Sequence, residues 1–488
     1  MSPFDLQAFA KALDQAGELR EPVLANVAIA AVVDDSRRAQ GGALFCAVPG
    51  TAKDGHAFAA EAVQRGAVAL LVTRKLNLGV PELVVRDARR GTAIVSAVWY
   101  GAPADAFTLI GVTGTNGKST TVALIRHLFN ATHSAGSLGT LGALDGAGHE
   151  VAVGNLTTPG AVELQGTLAA LRDRAVKTLA FEASSHALDQ RRIEGLHLAA
   201  AVYTNLTHDH LDYHGDLAAY FAAKAKLSAY LKPDGVEIVN ADDRAWRALD
   251  ARPGIRRVRW SVAGDADVRA TNVQLSASGS TFRLSWGGRT HDVRLPLLGD
   301  FNVSNALGAA ATALALSVAP DTVVGRLASA PQVPGRMERL AGEAFAILRD
   351  YAHTPDALER AIRTLRPLTP GRLLVLFGCG GDRDRQKRPV MGRIAAQGSD
   401  VSIVTSDNPR TEDPDRIIDD IEGGMDGKAH LRIADRREAI ARAVSMLAAG
   451  DTLLLAGKGH ETYQVVGTQR LPMDEREIVS ALVGARSA

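Results

Sequence analysis

Two rhythms of apolar and polar positions alternate along this chain. The first is a short unbroken apolar run that ends in a polar or glycine-rich cluster. Examples are "FTLIGVTG" from Phe107, "TLAFEASSH" from Thr178, "LAAAVYTNLTHDH" from Leu198 and "GVEIVNADD" from Gly235. "FAILRD" from Phe345, "RLLVLFG" from Arg372, "VSIVTS" from Val401 and "TLLLAG" from Thr452 repeat it, and "GALFCAVPG" and "VALLVT" do so near the start. The second rhythm is helical. Val122, Ile125 and Phe129 share one face of a helix expected from about Ser119, and "HAFAAEAVQRGA" and "DRREAIARAVSML" read the same way. Runs apolar on both faces, separated by helices, predict parallel sheets covered on both sides. One segment differs. "VRATNVQLSASGSTFRLSWGGRTHDVRLPL" from Val268 alternates strictly and carries Gly287–Gly288, so it predicts antiparallel hairpins attached to the larger sheet.

The rhythm breaks at "YGAPADAF" (100–107) and "VPGRME" (333–338), which places three domains at 1–103, 104–335 and 336–488. A chain of 488 residues needs more than one core. At 46% hydrophobic and 22% charged it has ordinary globular composition. Its net charge of +1 offers no global field for nucleic acid or an anionic membrane, so neither is expected as a partner. Cys46 and Cys379, the two cysteines, stand too far apart in sequence for a disulfide framework, which fits a reducing compartment. "MSPFDLQAFAKALDQ" reads as a short amphipathic helix, not a signal peptide. "NALGAAATALALSVAP" from Asn305 is too short and alanine-rich to span a bilayer. A cytoplasmic protein is expected.

Parallel sheets bind ligands beyond the carboxyl ends of their strands, and those ends carry the candidate chemistry. "GVTGTNGKST" (111–120) joins a strand to a helix, where backbone N–H groups cradle phosphate oxygens. Lys118 would reach the β- and γ-phosphates, and the Ser119 hydroxyl would bind Mg²⁺. The G-x-x-x-x-G-K-[ST] pattern fails by one position, since its first glycine would fall on Val112. Glu182 closes one strand, and His210 follows another beside Asp209, Asp212 and His214; both could serve metal ions in phosphoryl transfer. By spacing alone Lys224 reads as a solvated helix lysine. The last domain delivers "GCGGDRDR", "SDNPR" and "GKGHE" at strand ends. "SDNPRTEDP" (406–414) is then either a pocket floor or a surface loop in which Arg410 pairs with Glu412 or Asp413.

"GTNGKST", "FEASSH", "NLTHDHLDYHGD", "AAKAKL", "GDFNVSNALGAA", "VPGRME", "DYAHTPD", "GCGGDRDRQKRP", "SDNPR" and "AGKGHETYQ" occur in this order, with "DDSRRAQGGALFCAVPG" upstream. In them the chain resembles the Mur ligases over nearly its whole length, and most of all the members that add the third residue of the peptidoglycan stem peptide. The resemblance implies an N-terminal uridine-nucleotide domain, a central P-loop ATPase and a C-terminal Rossmann-like doubly wound domain. It implies attack of a carboxylate of UDP-N-acetylmuramoyl-L-alanyl-D-glutamate on ATP, an acyl phosphate, and capture by the amine of meso-2,6-diaminopimelate, with ADP and phosphate released. ATP and Mg²⁺ are the implied cofactors, and the implied partners are these small molecules, bound by a monomer.

Carried over by residue, the ATP loop is Gly114, Thr115, Asn116, Gly117, Lys118, Ser119 and Thr120, with Asn302, Asn305, Arg336, Asp350 and His353 as further ATP contacts. Lys118, Glu182, His210 and Lys224 resemble the catalytic set. Ser119, Glu182, His210 and Lys224 resemble the metal set, Lys224 as N6-carboxylysine. Ser36, Thr51, Ala52, Lys53, Thr157, Thr158, Ser184, Gln190 and Arg192 resemble contacts to the uridine-sugar-peptide; Leu156 stands where some members carry asparagine. Arg383, Asp407, Asn408, Pro409, Arg410, Gly457 and Glu461 resemble the diaminopimelate site. Diaminopimelate differs from L-lysine by one distal carboxylate, which asks for a cation. Arg410 supplies a bidentate fork, Pro409 stiffens its turn, and Glu461 offers an acceptor for the ammonium. Lysine-adding members lack that arginine, and folylpolyglutamate synthetases lack the N-terminal domain.

Overall fold

Burial on both faces makes the unbroken apolar runs parallel strands. A computed structural model describes residues 4–50, 53–152, 156–342 and 344–487. The chain clusters into two compact units, one of Met1–Arg269, Ser285–Arg289 and Asn305–Arg326, the other of Ala270–Leu284, Thr290–Ser304 and Leu327–Ala488.

The first unit opens with the helix Leu6–Gln15, capped by the Asp5 carboxylate on Gln7 N–H. Met1–Pro3, included in the expected helix, lie outside the described residues. Leu6, Phe9, Ala10 and Leu13 form its buried stripe and pack with Leu44, Leu71 and Leu83 of a parallel sheet. That sheet runs Ala31–Val33, Ala43–Cys46, Ala67–Val72, Glu82–Val84. A second, larger parallel array runs Ala135–Gly139, Thr178–Glu182, Thr108–Thr113, Leu198–Tyr203, Leu231–Asn240, Arg256–Ser261. Gly142–Leu144 and Glu150–Ala152 add antiparallel strands at its edge. Its register sets Glu182 opposite Val112 and Tyr203 opposite Thr113. The carboxyl ends of three strands therefore open onto one edge.

The alternating segment forms Val268–Ser276, Gly279–Trp286 and Arg289–Leu295, neighbours in that order. Its first residues, Val268 and Arg269, pair with Trp260 and Ser261, so the segment continues from the large sheet as expected.

In the second unit the strand order is Glu338–Ala341, Ala346–Asp350, Thr452–Ala456, Leu373–Phe377, Val401–Val404, Leu431–Arg432. The first pair is antiparallel and the rest are parallel. Both faces are covered, and the pleat divides the work. Leu373, Val375 and Phe377 pack with Leu358, Ile362, Met391 and Ile418 on one side. Leu374 and Leu376 pack with Ile440, Val444 and Val479 on the other. This is the doubly wound arrangement that the rhythm predicts. A hairpin of Tyr463–Val466 and Gln469–Pro472 was not foreseen.

Lys224 corrects a reading from spacing: it is 1% exposed, not solvated. It shares the stripe of the helix Leu217–Ala225 with Tyr220 and Ala223, both buried. Both cysteines are buried thiols. Among the described residues no helix is long and apolar enough to cross a membrane.

Candidate active site

The phosphate loop follows the strand Thr108–Thr113 and opens the helix Lys118–Phe129. Two of its glycines are required by space as well as by backbone. Gly114 has φ +147°, and a Cβ there would lie 1.9 Å from Thr204 Oγ1; Gly117 has φ +83°, and its Cβ would lie 2.3 Å from Asn305 Oδ1. Neighbouring polar groups hold the loop open. Thr115 N–H donates to Asn205 O at 2.7 Å, Asn116 N–H to Asn205 Oδ1 at 2.9 Å, and Thr204 Oγ1 to Asn116 O at 2.6 Å.

Two ammonium groups converge on this loop. Lys118 Nζ donates to Gly114 O at 2.9 Å and Thr115 O at 2.7 Å, and Lys224 Nζ donates to Gly114 O at 2.8 Å. Burial, and then the charge of Lys118, hold Lys224 well below the usual lysine range, with Asp209 pulling the other way. Cations gathered at a helix N-terminus and bonded to carbonyls of the loop fit an anionic ligand such as a polyphosphate.

His210, at φ +53°, precedes the short helix Leu211–His214, with Nε2 3.4 Å from Asp209 Oδ2. Burial lowers its pKa and Lys118 and Lys224 lower it further, while Asp209 raises it. Its ring meets the edge of His186 at 4.9 Å, and the His186 ring lies tilted against Tyr213 with centroids 4.2 Å apart. Burial first, then the neighbouring His210 and His214, take His186 down to about 4. These imidazoles are therefore neutral near pH 7 and offer lone pairs.

Glu182 is buried and accepts from Thr140 N–H at 2.9 Å and Thr140 Oγ1 at 3.3 Å. Among the described residues its carboxylate is bonded to Thr140 and to neither His210 nor Lys224. Among the described residues no group of three or more His, Cys, Asp or Glu side chains is arranged to hold a metal ion. The expected set of Ser119, Glu182, His210 and Lys224 has two such side chains. An ammonium cannot ligate a cation, so that set fits Mg²⁺ only with Lys224 carboxylated.

A third group borders Glu182. Thr158 Oγ1 donates to Glu182 O at 2.7 Å and accepts from Ser184 N–H at 3.1 Å, and Thr157 Oγ1 lies 3.3 Å from Thr140 Oγ1. Ser184 caps the helix Ser185–Asp189. Arg192 Nη1 donates to Thr158 O at 2.9 Å, and its Nε and Nη2 grip Gln190 Oε1 at 3.2 and 2.8 Å. Thr157, Thr158, Ser184, Gln190 and Arg192 thus form one connected patch. Ser36 is buried against Glu61, its Oγ 3.2 Å from Oε2, and exposed Lys53 sits 5.8 Å from the Phe58 ring centroid. Thr51 and Ala52 lie outside the described residues.

The expected ATP contacts divide between the units, Asn305 in the first and Asn302, Arg336, Asp350 and His353 in the second. Asn302 Nδ2 donates to Leu298 O at 2.8 Å. Arg336 lies 4.9 Å from the Tyr351 ring centroid, and Met337 N–H donates to Asp350 Oδ2 at 2.7 Å. Burial lifts the Asp350 carboxyl to about 6 against the pull of Arg336. His353 is exposed, with Nδ1 2.8 Å from Tyr351 O.

In the second unit "SDNPR" does end a buried strand. Arg410, at φ +51°, is clamped by the hairpin: its N–H donates to Val465 O at 3.0 Å and its carbonyl accepts from Gly467 N–H at 2.7 Å. Its Nη1 donates to Gly381 O at 2.8 Å. Pairing with Glu412 or Asp413 is overturned. Glu412 goes to the fully buried Arg388, at 2.8 Å, and Asp413 caps the helix Pro414–Glu422. Pro409 O leaves no room for a Cβ at Gly381. Asp407 Oδ2 is buried with no hydrogen-bond partner among the described residues, and a Cβ on Gly457 would come within 2.5 Å of it. Asn408 Nδ2 donates to Glu461 Oε2 at 2.9 Å. Arg383 is exposed nearby, its Cγ 3.8 Å from where a Gly380 Cβ would stand. Spacing missed Asn205, Thr140, His186 and Lys458, the last of which joins Asn408 to Glu461.

Three family descriptions match along the chain: Mur ligase family, catalytic domain, over 28–99; Mur ligase middle domain over 112–313; and Mur ligase, glutamate ligase domain, over 335–459. A UDP-N-acetylmuramoyl-L-alanyl-D-glutamate–2,6-diaminopimelate ligase from Synechococcus elongatus is 44% identical over 93% of both chains. The protein of that name from Geobacillus kaustophilus is 42% identical over 94% of this chain and 96% of its own. A solved structure bearing the same name superposes with a TM-score of 0.67 at 34% identity, over 94% of this chain and 96% of that one. The N-terminal match lies in the segment that folylpolyglutamate synthetases are expected to lack.

Proposed function

Because this chain belongs to the Mur ligase family, we propose that it is an ATP-dependent ligase that joins meso-2,6-diaminopimelate to UDP-N-acetylmuramoyl-L-alanyl-D-glutamate, in the cytoplasm and as a monomer. The domains 1–103, 104–335 and 336–488 would take the uridine nucleotide, ATP and the amino acid respectively. The observation that carries the choice of amino acid is Arg410. The backbone fixes it on both sides, and its guanidinium bonds a carbonyl and no carboxylate among the described residues. It therefore keeps a charge to spend on a distal carboxylate, which diaminopimelate has and lysine lacks.

A carboxylate acylates an amine only after its oxygen becomes a tolerable leaving group, and the γ-phosphoryl of ATP supplies that. The Gly114–Thr120 loop would hold the β- and γ-phosphates, with Lys118 leaving the Gly114 and Thr115 carbonyls to reach them. Thr157, Thr158, Ser184, Gln190 and Arg192 would hold the sugar-peptide so that its carboxylate lies in line with the γ-phosphorus. Ser119, Glu182, His210 and Lys224 as N6-carboxylysine would hold Mg²⁺, which supplies neutralisation of phosphate charge when bound. Asp407, Arg410 and Glu461 would orient the incoming amino acid, whose free amine displaces phosphate from the acyl phosphate.

Phosphate release tests the reading with ATP, Mg²⁺ and the uridine substrate present. Release that depends on meso-diaminopimelate is expected; none would sink the ligase, and preferential release with L-lysine would sink the specificity. Arg410→Lys keeps the charge but loses the fork. The KM for diaminopimelate should rise by about 10- to 100-fold, as for a charged hydrogen bond of about 1.5–3 kcal/mol, and that for ATP should stay within about twofold. Equal rises in both would make Arg410 a structural residue.

A further inference from the structure

We infer that Lys458 is a positioning residue that fixes which edge of the Asn408 amide faces the amino-acid substrate. The inference rests on the ligase reading above and deepens it.

Lys458 lies just past the strand Thr452–Ala456 and is 0% exposed. Its ammonium has three donors and no acceptor. It donates to Asn408 Oδ1 at 2.8 Å and to Glu461 Oε2 at 2.6 Å, and lies 5.4 Å from the Tyr463 ring centroid. A donor-only partner obliges Asn408 to turn its oxygen toward Lys458. Val465 N–H, at 2.9 Å, binds the same oxygen. Asn408 Nδ2 then points to Glu461 Oε2. The amide has no acceptor lone pair left and one N–H to offer. On Glu461 both bonds fall on Oε2, which leaves Oε1 as the acceptor.

The ligand-facing set is therefore polarised. Asn408 N–H and the Arg410 guanidinium present donors, suited to a carboxylate, and Glu461 Oε1 presents an acceptor, suited to an ammonium. Remove the Lys458 donor and the amide oxygen keeps only the Val465 N–H, so one of the two bonds that fix its orientation is lost. A flip of the less firmly held amide would turn its oxygen toward the substrate carboxylate, and Glu461 would lose its counter-ion. Lys458 has no need to touch the substrate for this. A neighbouring cation shows the contrast. Arg436, its side chain also 0% exposed, pairs with the fully buried Glu475 at 2.8 Å and ties down the Ala456 carbonyl at 2.9 Å, a wholly internal arrangement. Lys458 spends its bonds on two residues expected to meet the ligand.

The test compares the full chain with Lys458→Met and Lys458→Gln, in the phosphate-release assay and by thermal unfolding. In Lys458→Met the KM for meso-diaminopimelate should rise about tenfold or more with the KM for ATP within about twofold, and preference over L-lysine should fall. Lys458→Gln, whose side-chain amide can still donate to Asn408 Oδ1, should recover part of both. A merely structural lysine would move the melting temperature, kcat and both KM values together. That pattern, an unchanged KM for diaminopimelate in folded variants, or failure of both variants to fold would overturn the role. If the wild-type chain released no phosphate with diaminopimelate, the ligase reading itself would fall and this role with it. Wild-type turnover with unsplit constants would sink Lys458 alone.

Discussion

Gly117→Ala, set against Gly254→Ala, isolates the close approach that shapes the phosphate loop. Both glycines sit at similar left-handed backbone angles, φ +83° and +78°. An alanine costs about 1–2 kcal/mol at either on backbone grounds alone. Around Gly254 nothing lies within 4 Å of the added methyl, whereas at Gly117 the methyl falls 2.3 Å from Asn305 Oδ1. Asn305 would have to retreat by about 1 Å to reach ordinary contact. It is buried and already engaged, so it cannot swing away freely. Such overpacking costs about 1–3 kcal/mol beyond the backbone term. The extra cost falls on the loop and on a side chain proposed to contact ATP. An excess of about 2 kcal/mol, expressed in ATP binding, is about a 30-fold rise in KM. Steady-state phosphate release at varied ATP measures it. Gly254→Ala should leave the KM for ATP near wild type while lowering thermal stability slightly. Equal KM values in the two variants would refute the reasoning, because the backbone term alone would then account for both.

Two further outcomes follow from buried charge. Arg388 and its hydrogen bonds hold the Glu412 carboxyl at about 2, against 4.5 for a free glutamate. A depressed folded pKa contributes stability that is complete above about 4.5 and is lost as pH falls through about 2; Glu412→Gln should flatten the melting-temperature profile in that window, and an unchanged profile would show that the pair contributes nothing. Lys224→Met should keep or raise the melting temperature, because a methionine of similar length replaces a desolvated ammonium; activity should drop by about 10²–10³-fold if the group serves phosphoryl transfer, and activity within tenfold of wild type would exclude it.

The strand ends were legible because unbroken apolar runs can only be buried strands or buried helices, and their length and polar terminators decide between them. Gly114–Thr120 was legible from strand, turn and helix together, although the generic pattern failed at Val112. Ala135–Gly139 was not, because glycine and serine carry no strand signal and its burial comes from neighbours on both sides. The hairpin Tyr463–Pro472 escaped for another reason. Val466 and Leu471 are exposed on it, so no core face produced a pattern. Its Gly467 turn was the available cue. Lys224 carried its own signal unread: Tyr220, Ala223 and Leu227 stand at helical spacing around it, all buried. Nothing local distinguished Lys458, whose meaning depends on Asn408, fifty residues earlier in sequence.

Among the described residues the buried cations fall into two kinds. Arg349, Arg388 and Arg436 each pair with a carboxylate of the fold: Glu338 at 2.9 Å, Glu412 at 2.8 Å and Glu475 at 2.8 Å. The fixed fork of arginine suits such permanent pairs. Lys224 has a backbone carbonyl at hydrogen-bond distance, and Lys458 shares Glu461 with the proposed substrate. Burying an ammonium without a counter-charge costs stability, which for Lys224 calls for a reason other than folding. The carboxylate that Lys224 lacks is what N6-carboxylation would supply on its own side chain, and the polarity that Lys458 imposes is read only when an amino acid arrives. A missing counter-charge in the free protein is then the expected state of a group such as Lys224, whose partner is proposed to be phosphate or a modification.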